Sequence, residues 1–324
     1  MQELTFVKLL ISEMRAWSAY ISREFYYTMT ELVATYGWKH VDTQELWNQP
    51  GSLADRLQRQ FGEMPSVILL WERYDFFISV LAELRKLPIV TCIFADDLHW
   101  TDATMRSQKL ASLSTCDLIL AAYEPVFDTF YPGVRRTKNI VWTPHAACPD
   151  YFLTFNDNPL RSVLLSGKIH PAYPLRVKLR ELHESGNYPI DLLAHPGYHC
   201  EYDYASDPAV GAGYAEEIHS RLCAFTCAAK HKYIVGKFFE IPATGSLLLA
   251  DASVSRPLLE LGYVEYQHYV PVHADRVQDA LDFALDPANR GVADRIRRAG
   301  QELVMARHTT RHRAKLINEA CTSA

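Results

Sequence analysis

Short apolar runs alternate with stretches of helical periodicity along the chain, and this alternation limits the fold more than any other feature. The runs predicted to be strands are 4–11, 40–42, 67–71, 89–94, 118–121 and 140–142, then 163–165, 190–193, 222–226, 247–249 and 269–270. Helices are predicted between them, among them 21–36, 75–86, 102–113, 123–130 and 275–285, and one from about Thr309 onward. Because strands separated by helices pair in parallel, the pattern predicts an α/β fold with parallel sheets covered on both faces.

The length and one break in this pattern predict how the chain divides. A chain of 324 residues is longer than one hydrophobic core usually supports, so two domains are expected. Pro144, Pro149, Pro159 and a polar Asn-Asp-Asn segment at 156–158 interrupt the periodicity, as a linker does. The predicted parts are an N-terminal Rossmann-like domain at 1–150, a C-terminal Rossmann-like domain at 151–308 and a terminal helix at 309–324.

The composition is that of a globular protein, with 48% hydrophobic and 22% charged residues. No run of about eighteen apolar residues is present, so no transmembrane segment is expected. Met1-Gln2-Glu3 lacks the basic start of a secretory signal, which favours a cytoplasmic location. The net charge of −5 argues against a general nucleic-acid binder, and the seven dispersed cysteines are expected to be reduced core thiols. The basic patch at Arg295, Arg297 and Arg298 is interpreted as a solvated helix face.

The segment 237–251 combines a short helix with a buried strand and is suited to holding a nucleotide. The helix is predicted to open after Gly236, carry Lys237 and Glu240 on its first turns and close at Gly245. Lys237 and the positive end of the helix would attract a diphosphate, and Glu240 could accept hydrogen bonds from ribose hydroxyls. The alternative for Glu240 is ordinary helix stabilisation of about 0.3–1 kcal/mol by an acid in the first turn.

Two turns after strands of the second half carry further candidate ligand-binding residues. Gly167 and Lys168 follow one strand and Arg176 begins the next helix, which together predict an anion site; surface cations are the alternative. His195, Gly197 and Tyr198 follow the next strand, where a Pro-Gly turn could let the backbone approach a nucleobase and Tyr198 could stack on it. A plain turn with a surface tyrosine is equally consistent with these residues. The nearby His199 and Cys200 match no standard metal spacing, so no metal is predicted.

The order of motifs in the second half resembles GT-B glycosyltransferases, in particular the spore-maturation-type members of group 1 that use nucleotide sugars. The resemblance rests on the segment 237–251, Glu-Leu-Gly at 260–262, Tyr-Val-Pro-Val at 269–272, Asp-Pro at 286–287 and Arg-His-Thr-Thr-Arg-His-Arg at 307–313. It implies two Rossmann-like domains facing a cleft, with the C-terminal helix crossing back to the N-terminal domain. It also implies a nucleotide-diphosphate sugar donor, such as a UDP or GDP sugar, a carbohydrate or other hydroxyl acceptor, and no cofactor.

The resemblance directs attention to acceptor-binding residues in the first half. Asp96, Asp97, His99 and Trp100 follow the fourth strand; Asp97 or His99 would act as general base and Trp100 as a wall for a sugar ring. A capping role for Thr101 or Asp102 at the following helix fits equally well. Further acceptor contacts are predicted at three positions, namely Glu13, Arg15 and His145.

The function predicted from the resemblance is transfer of a sugar from a nucleotide donor to a hydroxyl group without a metal. Many retaining members carry a second Glu eight residues before the position of Glu240, but this chain has Lys232 there, which leaves the stereochemical outcome and the donor sugar open. Two alternatives remain. One is a nucleotide-sugar epimerase of the same fold, and the other is a binding module without catalysis.

Overall fold

The computed structural model describes residues 6–100, 102–198, 200–204 and 206–324, and the chain divides into two compact units. The first unit contains the chain up to residue 18, residues 28–144 and residues 313–324. The second unit contains residues 145–312 together with 19–27, a short segment that the sequence analysis did not connect with the second half. Both units are α/β structures with one parallel sheet each, which confirms the predicted fold class.

The elements of the first 144 residues alternate between strands and helices. They are β1 Lys8–Ser12, α1 Met14–Ser18, α2 Glu24–Tyr36, β2 Lys39–Asp42, α3 Thr43–Trp47, α4 Leu53–Phe61, β3 Val67–Trp71, α5 Tyr74–Leu84, β4 Val90–Ala95, α6 Ala103–Leu113, β5 Leu118–Ala121, α7 Phe127–Phe130 and β6 Asn139–Trp142. The six strands form a sheet in the order β2-β1-β3-β4-β5-β6. All residues of β3 and β5 are buried, as expected for central strands with helices on both faces.

The remainder of the chain repeats the alternation. Its elements are β7 Leu160–Ser166, α8 Pro174–Glu184, β8 Ile190–Leu193, α9 Gly211–His219, β9 Arg221–Thr226, α10 Lys237–Ala243, β10 Leu247–Asp251, α11 Ser255–Glu260, β11 Val270–Val272, α12 Val277–Leu285, α13 Arg290–Arg307 and α14 Thr310–Thr322. The strand order is β11-β10-β9-β7-β8. The direction of winding therefore reverses at β7, and the carboxyl ends of β7 and β9 flank the crevice where open α/β sheets bind ligands.

One surface assignment from the sequence is wrong: Arg297 is buried rather than solvated. It shares the inward face of α13 with Ala293, Gly300 and Val304, which follow each other at helical spacing. Its Nε donates to the carbonyl oxygen of Gly245 at 2.8 Å, and its Nη1 lies 2.6 Å from Oδ1 of Asp294. A guanidinium whose donors are satisfied in this way can be buried.

Two properties of the described residues bear on the predicted function. No described helix is both long enough and apolar enough to cross a membrane. Within the same residues, no group of three or more His, Cys, Asp or Glu side chains is arranged to hold a metal ion.

Candidate functional site

The turn after β7 brings together two cations that the sequence analysis identified separately. Gly167 has φ +91°, a left-handed conformation that glycine adopts without strain. A Cβ at this position would lie 3.0 Å from Nη1 of Arg176 and 3.3 Å from Nζ of Lys237. The start of α8 and the start of α10 therefore converge on one backbone turn at the carboxyl end of β7. The absent side chain of Gly167 leaves room between the two charges.

Arg176 has a fixed guanidinium with one N–H group that can still donate a hydrogen bond to a ligand. It is buried, its guanidinium lies 4.2 Å from the ring centroid of Tyr173, and its Nη1 donates to the carbonyl oxygen of Lys168 at 3.2 Å. Its Nε is buried and has no hydrogen-bond partner among the described residues. Lys168 contributes its backbone oxygen, and its side chain is exposed. An oriented guanidinium with a spare N–H is suited to binding an oxyanion.

Lys237 is the second cation and is fixed by two hydroxyl groups. Its Nζ donates to Oγ of Ser166 at 2.8 Å and to the hydroxyl of Tyr214 at 2.6 Å. Burial, reinforced by the nearby Arg176 charge, lowers the pKa of Lys237 to about 7. An anion bound beside both cations would oppose this shift, so the pair favours binding of negative charge.

Glu240 lies one turn further along α10 and is 5% exposed. Burial raises the pKa of Glu240 to about 7, Lys237 opposes that shift and Glu24 adds to it. A hydroxyl group, that of Ser22, lies 3.5 Å from its Oε1. Because α10 is only seven residues long, interrupted by Pro242, the charged side chains rather than the helix dipole dominate the electrostatics here.

The loop after β8 belongs to the same neighbourhood. Burial, followed by the positive charges of Lys237, Arg176 and Lys168, lowers the pKa of His195. Nδ1 of His195 accepts a hydrogen bond from the backbone N–H of Gly197 at 3.0 Å, and Gly197 has φ +100°.

The aromatic side of this loop faces the short segment 19–27. The ring of Tyr198 lies 4.7 Å from that of His195 and 6.2 Å from that of Tyr20, nearly parallel to the latter. Tyr198 is 45% exposed, so a planar ligand can reach it. His199, considered above for metal binding, lies outside the described residues.

In the first unit, Asp97 and His99 lie beside one another after β4. Nδ1 of His99 is 3.8 Å from Oδ1 of Asp97, and both side chains are exposed. Two hydrogen bonds hold the backbone of the loop that carries them. The Asp96 N–H donates to Oε1 of Glu72 at 2.7 Å, and the buried Lys109 donates to the carbonyl oxygen of Asp97 at 2.5 Å. A carboxylate beside an imidazole on a fixed loop has the chemistry of a general base, and the assignment of that role stays a prediction.

The remaining acceptor candidates divide between the units. Glu13 forms an ion pair with Arg73 at the carboxyl ends of β1 and β3, and Arg15 lies nearby in sequence on α1 with its side chain exposed.

Trp100 is half-buried, with Nζ of Lys109 6.0 Å from its ring centroid. Asp102 caps α6 by accepting from the N–H of Met105, as the capping alternative predicted, whereas Thr101, the other candidate cap, lies outside the described residues. His145 belongs to the second unit, where its Nδ1 is 2.7 Å from Oε2 of Glu24.

Residues 182–319 match a family model described as "Glycosyl transferase-like", a span that includes His195, Lys237 and Glu240. Sucrose-phosphate synthase from Thermosynechococcus elongatus is similar in structure, with a TM-score of 0.64 and 13% identity over 97% of this chain and 98% of that one. Anabaena HepE, solved with UDP and glucose, has a TM-score of 0.62 and 10% identity over 98% and 100% of the two chains. An alpha-glucosyltransferase solved with UDP and DNA has a TM-score of 0.64 and 9% identity over 98% and 100%. The chain has the GT-B glycosyltransferase fold.

The resemblance to group 1 GT-B glycosyltransferases that the motifs indicated is thereby confirmed. At identities of 13% or less, the structural likeness establishes the GT-B fold and leaves the activity to be argued from the site. A comparison with curated protein sequences finds no significant match.

Several residues of this candidate site were not found from the sequence. Ser166 and Tyr214 hold Lys237, and Glu24 and Ser22 approach Glu240 from a segment more than two hundred residues away in the chain. Ser166 carries a usable signal, because it ends a strand at the edge where ligands gather. Tyr214 and Glu24 lie in helices with no local pattern that separates them from ordinary amphipathic residues.

Proposed function

We propose that the protein is a glycosyltransferase that moves a sugar from a nucleoside-diphosphate sugar to a hydroxyl acceptor. The observation that carries the proposal is the convergence of Arg176 and Lys237 on Gly167, with the carboxyl group of Glu240 one helical turn away. Two fixed cations match the charge of a diphosphate, and a buried carboxylate matches the paired hydroxyls of a ribose. The residues expected to bind the donor are Gly167, Lys168, Arg176, His195, Gly197, Tyr198, Lys237 and Glu240.

The same cations that bind the donor would assist the chemical step. As the glycosidic bond to the sugar breaks, negative charge develops on the departing nucleoside diphosphate. Cations already in place stabilise that charge more in the transition state than in the bound donor. Arg176 is well suited because its guanidinium is immobilised on Tyr173 before any ligand arrives. We propose that the cation pair makes a metal ion unnecessary, so that activity persists in EDTA.

The acceptor side of the reaction needs a group that removes the proton of the attacking hydroxyl. Asp97 and His99 have suitable chemistry and exposure, and Trp100 offers an aromatic wall to a sugar ring. Asp96, Glu13, Arg15 and His145 are the other proposed acceptor contacts. HepE and the alpha-glucosyltransferase were solved with UDP, which makes a UDP sugar the first donor to test. We propose a cytoplasmic glycan, glycoprotein or small-molecule acceptor rather than a nucleic acid, on the strength of the net charge of −5.

A nucleotide-binding experiment tests the donor site directly. In thermal-shift and calorimetric measurements with UDP, GDP, ADP and their sugars, a saturating ligand should stabilise the folded protein by roughly a few kcal/mol. Lys237→Met and Glu240→Ala should each weaken binding about tenfold or more, which is about 1.4 kcal/mol. Lys230→Met removes an exposed lysine seven residues before Lys237 and serves as the matched control that should bind normally.

Each outcome of that experiment has a definite meaning. If Glu240→Ala and Lys237→Met bind the nucleotide as tightly as the unmodified protein, the donor site has been placed wrongly. Product analysis with and without acceptor then separates the activities. Transfer requires acceptor, epimerisation proceeds without one, and binding with no turnover of any donor identifies a non-catalytic module.

A further inference from the structure

The segment 19–27 is distant in sequence from the rest of the second unit but is tied to it by specific side chains. Nε and Nη2 of Arg23 donate to both carboxyl oxygens of Asp150, at 3.0 and 2.5 Å. The hydroxyl of Tyr204 donates to the carbonyl oxygen of Tyr20 at 2.8 Å. These bonds hold the segment against the rest of the second unit, and Glu24 directly follows Arg23 in it.

Glu24 is a buried carboxylate with both oxygens engaged. Its Oε2 lies 2.7 Å from Nδ1 of His145, and its Oε1 accepts from the backbone N–H of Ala146 at 2.6 Å. A carboxylate only accepts hydrogen bonds, so Nδ1 of His145 carries the proton. The ring of Phe25 stacks on the imidazole at 5.4 Å with an interplanar angle of 16°. The orientation of His145 is therefore fixed by Glu24 on its edge and by Phe25 on its face.

Glu24 also lies close to the carboxyl group of Glu240. A Cβ placed on Gly236 would be 3.0 Å from Oε1 of Glu240 and 3.7 Å from Oε2 of Glu24, so both carboxyl groups border the same point of the backbone. Two buried acids at such a distance repel each other when both are ionised. If the only role of Glu24 were to accept the hydrogen bond from the Ala146 N–H, a charged side chain would not be needed, because a neutral amide or hydroxyl could accept that hydrogen bond.

The charge of Glu240 is set by groups from every element packed around it. These are Lys237 on α10, Glu24 on α2, His145 and Cys148 after β6, Tyr151 in the turn that follows, and Tyr214 on α9. Glu24 raises the pKa of Glu240, whereas Lys237, His145 and a hydrogen bond from Tyr151 lower it. Of these groups, Glu24 and His145 form one hydrogen-bonded pair with opposite effects.

We propose that Glu24 is a positioning residue of the nucleotide site, a second buried carboxylate that fixes His145 beside Glu240 and thereby controls the charge with which Glu240 meets the ribose. The inference rests on the proposed function, because it takes Glu240 as the ribose-binding group. It adds a residue from the N-terminal segment whose side chain need not touch the ligand.

The experiment compares UDP with 2′,3′-dideoxy-UDP, or the corresponding pair for whichever of UDP, GDP and ADP binds most tightly. The ratio of the two dissociation constants isolates the ribose contact, because effects on the diphosphate are common to both ligands. In the unmodified protein, the preference for the ribose form should increase with pH as Glu240 ionises near its pKa of about 7. Glu24→Gln keeps the acceptor for Ala146 but removes the negative charge that raises the pKa of Glu240. The pH at which the preference for the ribose form increases should therefore fall by about one unit.

Two further variants make the test independent of whether Glu24→Gln folds. Glu24→Asp retains the charge and should leave the pH of the increase near that of the unmodified protein. His145→Asn keeps a hydrogen-bond donor for Glu24 but removes the imidazole, which lowers the pKa of Glu240. The pH at which the preference for the ribose form increases should therefore rise. Thermal unfolding establishes that each variant is folded.

Failure of this inference and failure of the proposed function give different results. If the unmodified protein does not distinguish the ribose from the dideoxy ligand at any pH, Glu240 is not the ribose-binding group. If it does distinguish them, but Glu24→Gln and His145→Asn leave the pH of the increase unchanged, Glu24 is only a structural anchor and the inference is overturned.

Discussion

Replacing Gly167 with alanine adds one methyl group at the point where the two cations of the donor site meet. The new Cβ would lie 3.0 Å from Nη1 and 3.3 Å from Cζ of Arg176, and 3.3 Å from Nζ of Lys237. These distances are shorter than almost all contacts that Cβ atoms make in proteins, so at least one cation has to move by a few tenths of an ångström. Arg176 is buried and stacked on Tyr173, and its displacement would break the hydrogen bond from Nη1 to the Lys168 carbonyl oxygen.

The size of the effect follows from two separable contributions. An alanine at a left-handed φ costs about 1–2 kcal/mol, offset by roughly 0.4–1 kcal/mol of lost entropy in the unfolded chain. Loss of one hydrogen bond from a charged group adds about 1.5–3 kcal/mol. We therefore expect Gly167→Ala to lower the free energy of unfolding by about 2–4 kcal/mol and to weaken nucleotide binding about tenfold or more.

Gly186 provides a matched control for the backbone contribution. It also has a left-handed φ, +71°, but no described atom lies within 4 Å of the Cβ that alanine would introduce there. Gly186→Ala should lose about 1 kcal/mol of stability and bind nucleotide normally. Urea unfolding and calorimetric titration with UDP measure both quantities. If Gly167→Ala bound nucleotide as tightly as Gly186→Ala does, the argument that Arg176 and Lys237 grip the ligand at this turn would be refuted.

Two further predictions concern buried charges. The pKa of Glu240, raised to about 7, exceeds its unfolded value, so its ionisation destabilises the fold increasingly as pH rises from about 4.5 to 7. Glu240→Gln should therefore be nearly neutral for stability at pH 5 and stabilising by up to about 3 kcal/mol at pH 8, measured by urea unfolding; a stabilisation that did not grow with pH would contradict this. Lys109→Met should destabilise by about 3 kcal/mol because it leaves Glu72 without its buried partner at 3.4 Å. Lys315→Met, at an exposed pair on α14, should change stability by less than about 0.5 kcal/mol, and equal losses for the two lysines would show that Lys109 is not an anchor.

The sequence was most informative where burial and turn chemistry agree. The central strands were found because each is a short apolar run, and the helix with Lys237 and Glu240 because Gly245 ends it before a buried strand. The meeting of Gly167, Arg176 and Lys237 follows from the rule that ligands gather at the carboxyl ends of parallel strands. Local pattern identified these three residues separately, and the strand order of the folded chain brings them together.

Polar helices were harder to find from the pattern of apolar residues alone. Helix α4 was missed although Ser52 and Asp55 form a capping box at its start, a signal present in the sequence. Arg297 was placed on the surface because its hydrogen-bond partners, which include the Gly245 carbonyl oxygen, exist only once the chain is folded. Glu24 presents the same difficulty, since its partner His145 is 121 residues away.

The arrangement of charges in the second unit is itself an argument for a ligand. Arg176, Glu240 and Glu24 are each at most 5% exposed, and Lys237 lies among them. Burying an ionised group costs several kcal/mol unless it is fully paired, yet Nε of Arg176 has no partner among the described residues, and burial shifts the pKa values of both Lys237 and Glu240 toward their neutral forms. A cluster built only for stability would replace these groups with apolar side chains of similar volume. A cluster that must receive a diphosphate and a ribose has to keep them, because the bound ligand supplies the missing partners.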